Sequence, residues 1–201
     1  MRKMFVAILV LLTVNVAHSQ ILTSEERKFV VDLLEANSRR FLADIETVNE
    51  DQWKFKAAPD TWSVGEVSEH ITLSEALLVS IILKTLEAPA DHQKAKELEG
   101  KEKQLLDGLK DRSFKAQAPE VIKPTGKYRT KNELIEAFKN ARSQTIDYVK
   151  TTNHPLKNHV APHPAFGDLT AYQWLVLLAG HADRHVAQLE EVKSNGKFPK
   201  I

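Results

Sequence analysis

His181 and His185 stand one helical turn apart in the stretch GHADRHVAQL, residues 180–189. Side chains at i and i+4 project from one face of a helix, so both imidazoles can reach a single ion. The same spacing also arises with no ion, when each ring is a satisfied core residue. Position on the helix is the first discriminator. The apolar stripe of this segment runs Trp174, Leu178, His181, His185, Leu189, Val192, so both histidines fall within the face that should be buried. A second segment carries Val67, His70 beside Ile71, Ser74, Leu77 and Ile81 in the same spacing, which turns His70 inward as well. Burying an imidazole without a partner costs roughly 1–3 kcal/mol. Three of them on core-facing stripes of two helices imply a shared reason, and the reading is one divalent ion held by His70, His181 and His185. Zinc, nickel and iron all suit imidazole, and residue types do not choose among them. Three protein ligands leave a coordination position open, as in catalytic rather than structural sites.

The elements that must position these rings are marked by four Ser/Thr-x-x-Glu/Gln patterns: Thr23–Glu26, Ser63–Glu66, Thr130–Glu133 and Thr170–Gln173. Each has the form of a capping box, in which the hydroxyl and the Glu/Gln satisfy free N–H groups of the first turn. Each opens a 3.6-residue apolar period, giving helices over about 24–48, 64–86, 131–151 and 171–194. The first stripe is Val30, Leu34, Phe41, Ile45, Val48; the third is Leu134, Phe138, Ala141, Thr145, Tyr148. About 45 residues separate the second and third helices, with a polar helix near 91–110 and coil around Pro119 and Pro124, long enough for those two helices to run parallel. KAAPDTW (56–62) and HPLKNHVAPHPAFGD (154–168) read as Pro-punctuated connections, and no alternating strand pattern is visible. The expected fold is all-α, a four-helix bundle.

The ends and composition bound what the chain does. Residues 1–19 read as a signal peptide: Arg2 and Lys3, an apolar run from Phe5 to Val14, then Ala17 and Ser19 as the small residues before a cleavage site preceding Gln20. The run is roughly ten residues, against about twenty for a membrane span. An uncleaved anchor helix is the alternative. The chain has no cysteine, which excludes a lipid-anchored cysteine, a disulfide and a thiolate ligand. Residues 20–201 then form one domain, exported to a periplasm or secreted, with no membrane attachment after cleavage. Without Arg2 and Lys3, Lys+Arg falls from 28 to 26 against 27 Asp+Glu, so nothing in bulk attracts nucleic acid. The expected partner is a small molecule. LLVSIILKTL (77–86) is apolar on more than one face and reads either as a homodimer seam or as a helix central to its own bundle.

TWSVGEVSEHI (61–71), HPAFGDLTAYQWL (163–175) and HADRHVAQL (181–189) together resemble the DinB-like superfamily of metal-dependent four-helix-bundle proteins, unrelated to the DNA polymerase of that name. Trp62, Ser63 and Glu66 match its opening of the second helix. His163, Pro164, Gly167, Thr170 and Trp174 match its approach to the fourth, with Gln173 where Glu is frequent. His181, Arg184, His185 and Gln188 match its H-x-x-R-H-x-x-Q element. The resemblance implies an up-down-down-up path and His70, His181 and His185 as the metal ligands. Some members use low-molecular-weight thiols in transfer or isomerisation. Those thiols are mainly cytosolic, so an exported chain departs from that chemistry.

The expected activity is metal-dependent, hydrolase-like or transferase-like, on a small molecule; the alternative is a bundle that binds metal or ligand without catalysis. Glu66, one turn before His70, is a candidate base or ring partner, unless its capping box commits it. Gln188, three residues after His185, is a candidate donor near the open position. Arg184 is expected to pair with an acid on a neighbouring helix, and Asn37 is either a pocket-lining donor or a satisfied buried amide. His163 is expected to pack the start of the fourth helix, His154 and His159 to be ordinary loop residues, and His92 to have no role.

Overall fold

Every long helix begins where a side chain answers its free N–H groups. The computed structural model describes residues 20–113 and 117–200, so the expected signal peptide at 1–19 lies outside the described residues. Helix α1 (Ser24–Glu46), α3 (Val64–Thr85) and α7 (Ala171–Lys193) open with reciprocal capping boxes at Thr23, Ser63 and Thr170. Helix α6 (Lys131–Thr151) keeps only half of the pattern. Thr130 accepts from Glu133 N–H, while the Glu133 carboxylate reaches one residue further back, to Arg129 N–H at 2.9 Å. Shorter helices fill the connections: α2 (Glu50–Lys54), α4 (His92–Leu98) and α5 (Glu102–Lys110), with a 3₁₀ turn at Glu120–Ile122.

Hydrogen bonds between helices fix their directions. Asn37 Nδ2 donates to Ala179 O at 2.7 Å and Lys193 Nζ to Asp44 Oδ1 at 2.6 Å, so α1 and α7 run parallel. Arg27 donates to Val149 O at 2.6 Å and Lys131 to Val48 O at 2.7 Å, which sets α6 antiparallel to α1. Helix α3 runs alongside α6, with Val67 and Ile71 at the level of Leu134 and Phe138 and Glu75 bonded to Arg142. The bundle is therefore up-down-down-up, and the long connection between α3 and α6 makes the parallel pair possible.

Two apolar clusters fill the interior. One gathers Leu34, Leu78, Val149 and Leu175–Ala179; the other Phe41, Ile71, Phe138, Ala182 and Val186. Between them, at residues 37, 75, 142 and 145, lies a buried polar layer. Arg142 holds both Glu75 oxygens at 2.8 Å and donates to Leu34 O and Asn37 Oδ1, while Thr145 donates to Glu75 Oε1 at 3.0 Å. With Asn37 on Ala179 O, this layer ties together all four long helices. Asn37 is thus a satisfied buried amide. The third stripe shifts accordingly: Arg142 and Val149 face inward with Phe138 and Thr145, and Ala141 and Tyr148 lie half-buried beside them.

Two further features depart from the sequence reading. The expected connection before α7 contains a hairpin, β1 (Val160–His163) antiparallel to β2 (Gly167–Thr170), with Val160 opposite Thr170 and His163 opposite Gly167. Gly167, at φ 70°, takes the left-handed conformation that turns the chain there. The single polar helix expected near 91–110 is two, broken at Gly100 with φ 77°. In the 77–86 run, Leu78, Ile82 and Thr85 are buried within the chain's own bundle and Leu83 is 43% exposed. No helix among the described residues is long and apolar enough to cross a membrane.

Candidate metal centre

The Ser63 cap places His70 two turns into α3, where Ile71 and Val67 pack against α7 and orient the ring towards it. His70 is 2% exposed, whereas His181 and His185 on α7 keep part of their surface open. The three rings converge. Centroids lie 4.4 Å apart for His70–His185, 4.5 Å for His181–His185 and 5.2 Å for His70–His181. One nitrogen from each lies within 4.8 Å of the others. Trp62 flanks the cluster, its ring 4.9 Å from that of His70.

The outer nitrogens determine what the inner ones can do. His70 Nδ1 lies 2.8 Å from the Ile122 carbonyl, which can only accept, so Nδ1 carries the proton. His185 Nδ1 lies 2.8 Å from Gln188 Oε1 and donates in the same way. Both Nε2 atoms then present lone pairs, and they face each other at 3.2 Å. A third proton would relieve that opposition, but burial disfavours it. Desolvation lowers His70, although the Ile122 carbonyl pulls the other way. It lowers His185 to about 3, with the neighbouring His70 adding to the effect. His181 sits well below the ordinary value, first through desolvation and then through the two nearby imidazoles. Neutral rings with converging lone pairs form a donor set suited to a divalent cation.

The supporting groups sort the sequence-derived candidates. Glu66 is committed to its cap: Oε2 accepts from Ser63 N–H at 2.7 Å and Oε1 from Lys56 Nζ at 2.8 Å. Burial alone would raise its pKa, but Lys56 and the Ser63 amide outweigh that and hold it below the usual carboxylate range. That disfavours it as a base. Gln188 orients the His185 ring. Arg184 donates from Nη1 to the carbonyls of Leu109, at 2.9 Å, and Asp111, fastening the end of α5 to α7. Arg112 adds a bidentate pair to Glu191, both contacts at 2.6 Å.

The other histidines among the described residues are engaged elsewhere. His163 accepts from Ala165 and Phe166 N–H and packs 5.2 Å from the Trp174 ring. His154 meets Tyr148 Oη, His159 the Ala88 carbonyl and His92 the Gln20 side chain.

Sequence reasoning missed the Ile122 carbonyl, because a backbone acceptor leaves no residue signature. It also missed Glu69, whose buried carboxylate accepts from Thr125, Gly126 and Lys127 N–H at 3.0 Å each and straps the crossover segment over α3 beside His70. An acid next to an inward histidine was the available signal. Gly180 was missed too: a Cβ there would lie 2.7 Å from Leu109 and 2.9 Å from Leu106, so its absence lets α5 pack one residue from His181.

The sequence profile of the DinB superfamily matches residues 33–189. YuaE of Bacillus subtilis (strain 168), an uncharacterized protein, is 24% identical over 151 residues, covering 75% of this chain and 88% of YuaE. The fold is similar to that of YfiT from Bacillus subtilis, described as a probable metal-dependent hydrolase with an unusual four-helix bundle topology. The TM-score is 0.58 at 14% identity, over 86% of this chain and 88% of YfiT.

Proposed function

The chain belongs to the DinB superfamily, and on that premise we propose that it is an exported metal-dependent hydrolase or transferase of a small molecule. One observation carries the metal reading: the Nε2 lone pairs of His70 and His185 face each other at 3.2 Å, both rings being held in that orientation by acceptors on Nδ1. His181, one turn before His185, supplies the third imidazole. When bound, a divalent ion supplies Lewis-acid chemistry, acidifying water and polarising a substrate oxygen. The chain's own part is positional. Ile122 and Gln188 fix the rings, burial keeps them neutral, and Glu69 holds the strap that carries Ile122.

The description of YfiT as a probable metal-dependent hydrolase favours hydrolysis over transfer. Export rests on the sequence of residues 1–19, from Arg2 and Lys3 to Ala17 and Ser19. The reaction is tested with protein purified without a His-tag, loaded separately with zinc, nickel or iron, and assayed on ester, lactone and thiol-conjugate panels. Turnover that requires metal and disappears in His185→Ala supports an enzyme. One equivalent of metal with no turnover on any panel makes the protein a binding bundle instead.

A further inference from the structure

Gln20 is held more closely than a passing connection requires. Its side-chain Oε1 accepts from Asn158 Nδ2 at 2.8 Å, and its main-chain carbonyl accepts from Lys157 N–H at 3.3 Å. Asn158 is 5% exposed and is itself fixed, its carbonyl accepting from Asp91 N–H at 2.8 Å. Yet Asn158 Oδ1 is buried with no hydrogen-bond partner, as are only Ser38 Oγ and Ser74 Oγ among the side-chain atoms of the described residues. A buried acceptor left unpaired is costly. No protein group donates to this oxygen, and it belongs to the carboxamide that already binds the Gln20 side chain.

We propose that Gln20 is the mature N-terminus, cyclised to a pyroglutamyl lactam that docks on Asn158; this rests on the export reading and not on the metal centre. Ala17 and Ser19 mark cleavage of the Ser19–Gln20 bond. A signal peptidase hydrolyses that bond with one water and frees the α-amine of Gln20. The neutral amine attacks side-chain Cδ, the Cδ–Nε2 bond breaks, and Nε2 leaves as ammonia with the proton the amine gives up. No oxidant or further substrate is needed.

The lactam is a cis amide, so its N–H and C=O point to the same side. The Asn158 carboxamide offers the complementary pair on one edge. Nδ2 donates to the lactam oxygen, the bond already made by Oε1, and the lactam N–H reaches the orphaned Oδ1. Only the exposed 3.4 Å contact from Gln20 Nε2 to His92 Nδ1 is given up. The main-chain carbonyl keeps Lys157 N–H.

The full chain with its leader is produced in an exporting bacterial host, and the N-terminal peptide is read by mass spectrometry. The expected product begins at residue 20 and is lighter by one ammonia than a Gln-terminated chain. A start at Met1, or elsewhere, overturns the processing and the export reading. A start at Gln20 with a free amine overturns the lactam and leaves export standing. Docking is read separately from melting midpoints. Gln20→Ala lowers the midpoint by about 4–8 °C, as loss of two hydrogen bonds does in a chain of this size, and has no further effect in an Asn158→Ala background. An equal drop in both backgrounds shows that the lactam does not bind Asn158.

Discussion

Replacing Arg142 with Met removes the hub of the buried layer that joins the four long helices. Glu75 is 2% exposed and would lose both bonds to the guanidinium, keeping only Thr145 Oγ1 at 3.0 Å. Asn37 Oδ1 and Leu34 O would lose their donor as well. Leaving one partner of a buried pair uncompensated costs about 3–5 kcal/mol, a large share of the roughly 5–15 kcal/mol that holds a domain folded. At about 2–4 °C per kcal/mol for a chain of this length, the midpoint falls by about 6–20 °C. Arg142→Met with Glu75→Leu removes both charges and leaves only neutral groups short of partners, at about 1–3 kcal/mol. The double variant is therefore more stable than Arg142→Met alone. Urea unfolding of metal-free protein at neutral pH, with unchanged m-values, gives both quantities. A loss below about 1 kcal/mol for Arg142→Met, or a double variant no more stable than the single, would refute the reasoning.

Gln188→Ala frees the His185 ring without removing a ligand, so zinc affinity measured by chelator competition falls by about 10–100-fold rather than vanishing. Gly180→Ala places a Cβ 2.7 Å from Leu109 Cδ1 and 2.9 Å from Leu106 Cδ2, so both side chains must turn aside and the packing of α5 on α7 loosens. The measurement is hydrogen exchange over 102–110, which should quicken; exchange unchanged from the parent contradicts the close packing. In metal-free protein the imidazoles are neutral when folded and protonate more readily when unfolded. His185, at about 3, and the lowered His70 and His181 therefore stabilise the fold above the unfolded value near 6.5, and that contribution is lost as pH falls below it. Chemical denaturation at pH 7.5 and about 5 should show the decline, with a smaller slope in His185→Ala; equal slopes contradict the burial of neutral rings.

The bundle was legible because its helices carry their own punctuation: Thr23, Ser63 and Thr170 cap as their spacing implies, and the apolar period places Leu34, Ile71, Phe138 and Leu189 inside. The three histidines were legible for the same reason, since a polar residue on an apolar stripe needs a partner. Arg142 was not. A stripe read by hydrophobicity passes over a guanidinium, and only its partner Glu75, on another helix, makes burial tolerable. The hairpin at 160–170 was hidden by Pro162 and Pro164, which break alternation without preventing a two-strand ladder. Ile122 acts through its carbonyl and Gly180 through a missing side chain, so neither position advertises its part.

The convergence of His70, His181 and His185 on one divalent ion is tested most directly by metal stoichiometry. Protein purified without a His-tag is equilibrated with zinc, desalted and measured for metal per chain, beside His70→Ala, His181→Ala, His185→Ala and the control His92→Ala. The geometry requires one zinc per chain in the parent and in His92→Ala, with sharp loss in each of the other three. Zinc retained at one equivalent in His70→Ala, or absent from the parent after loading with zinc, nickel or iron alike, would contradict it.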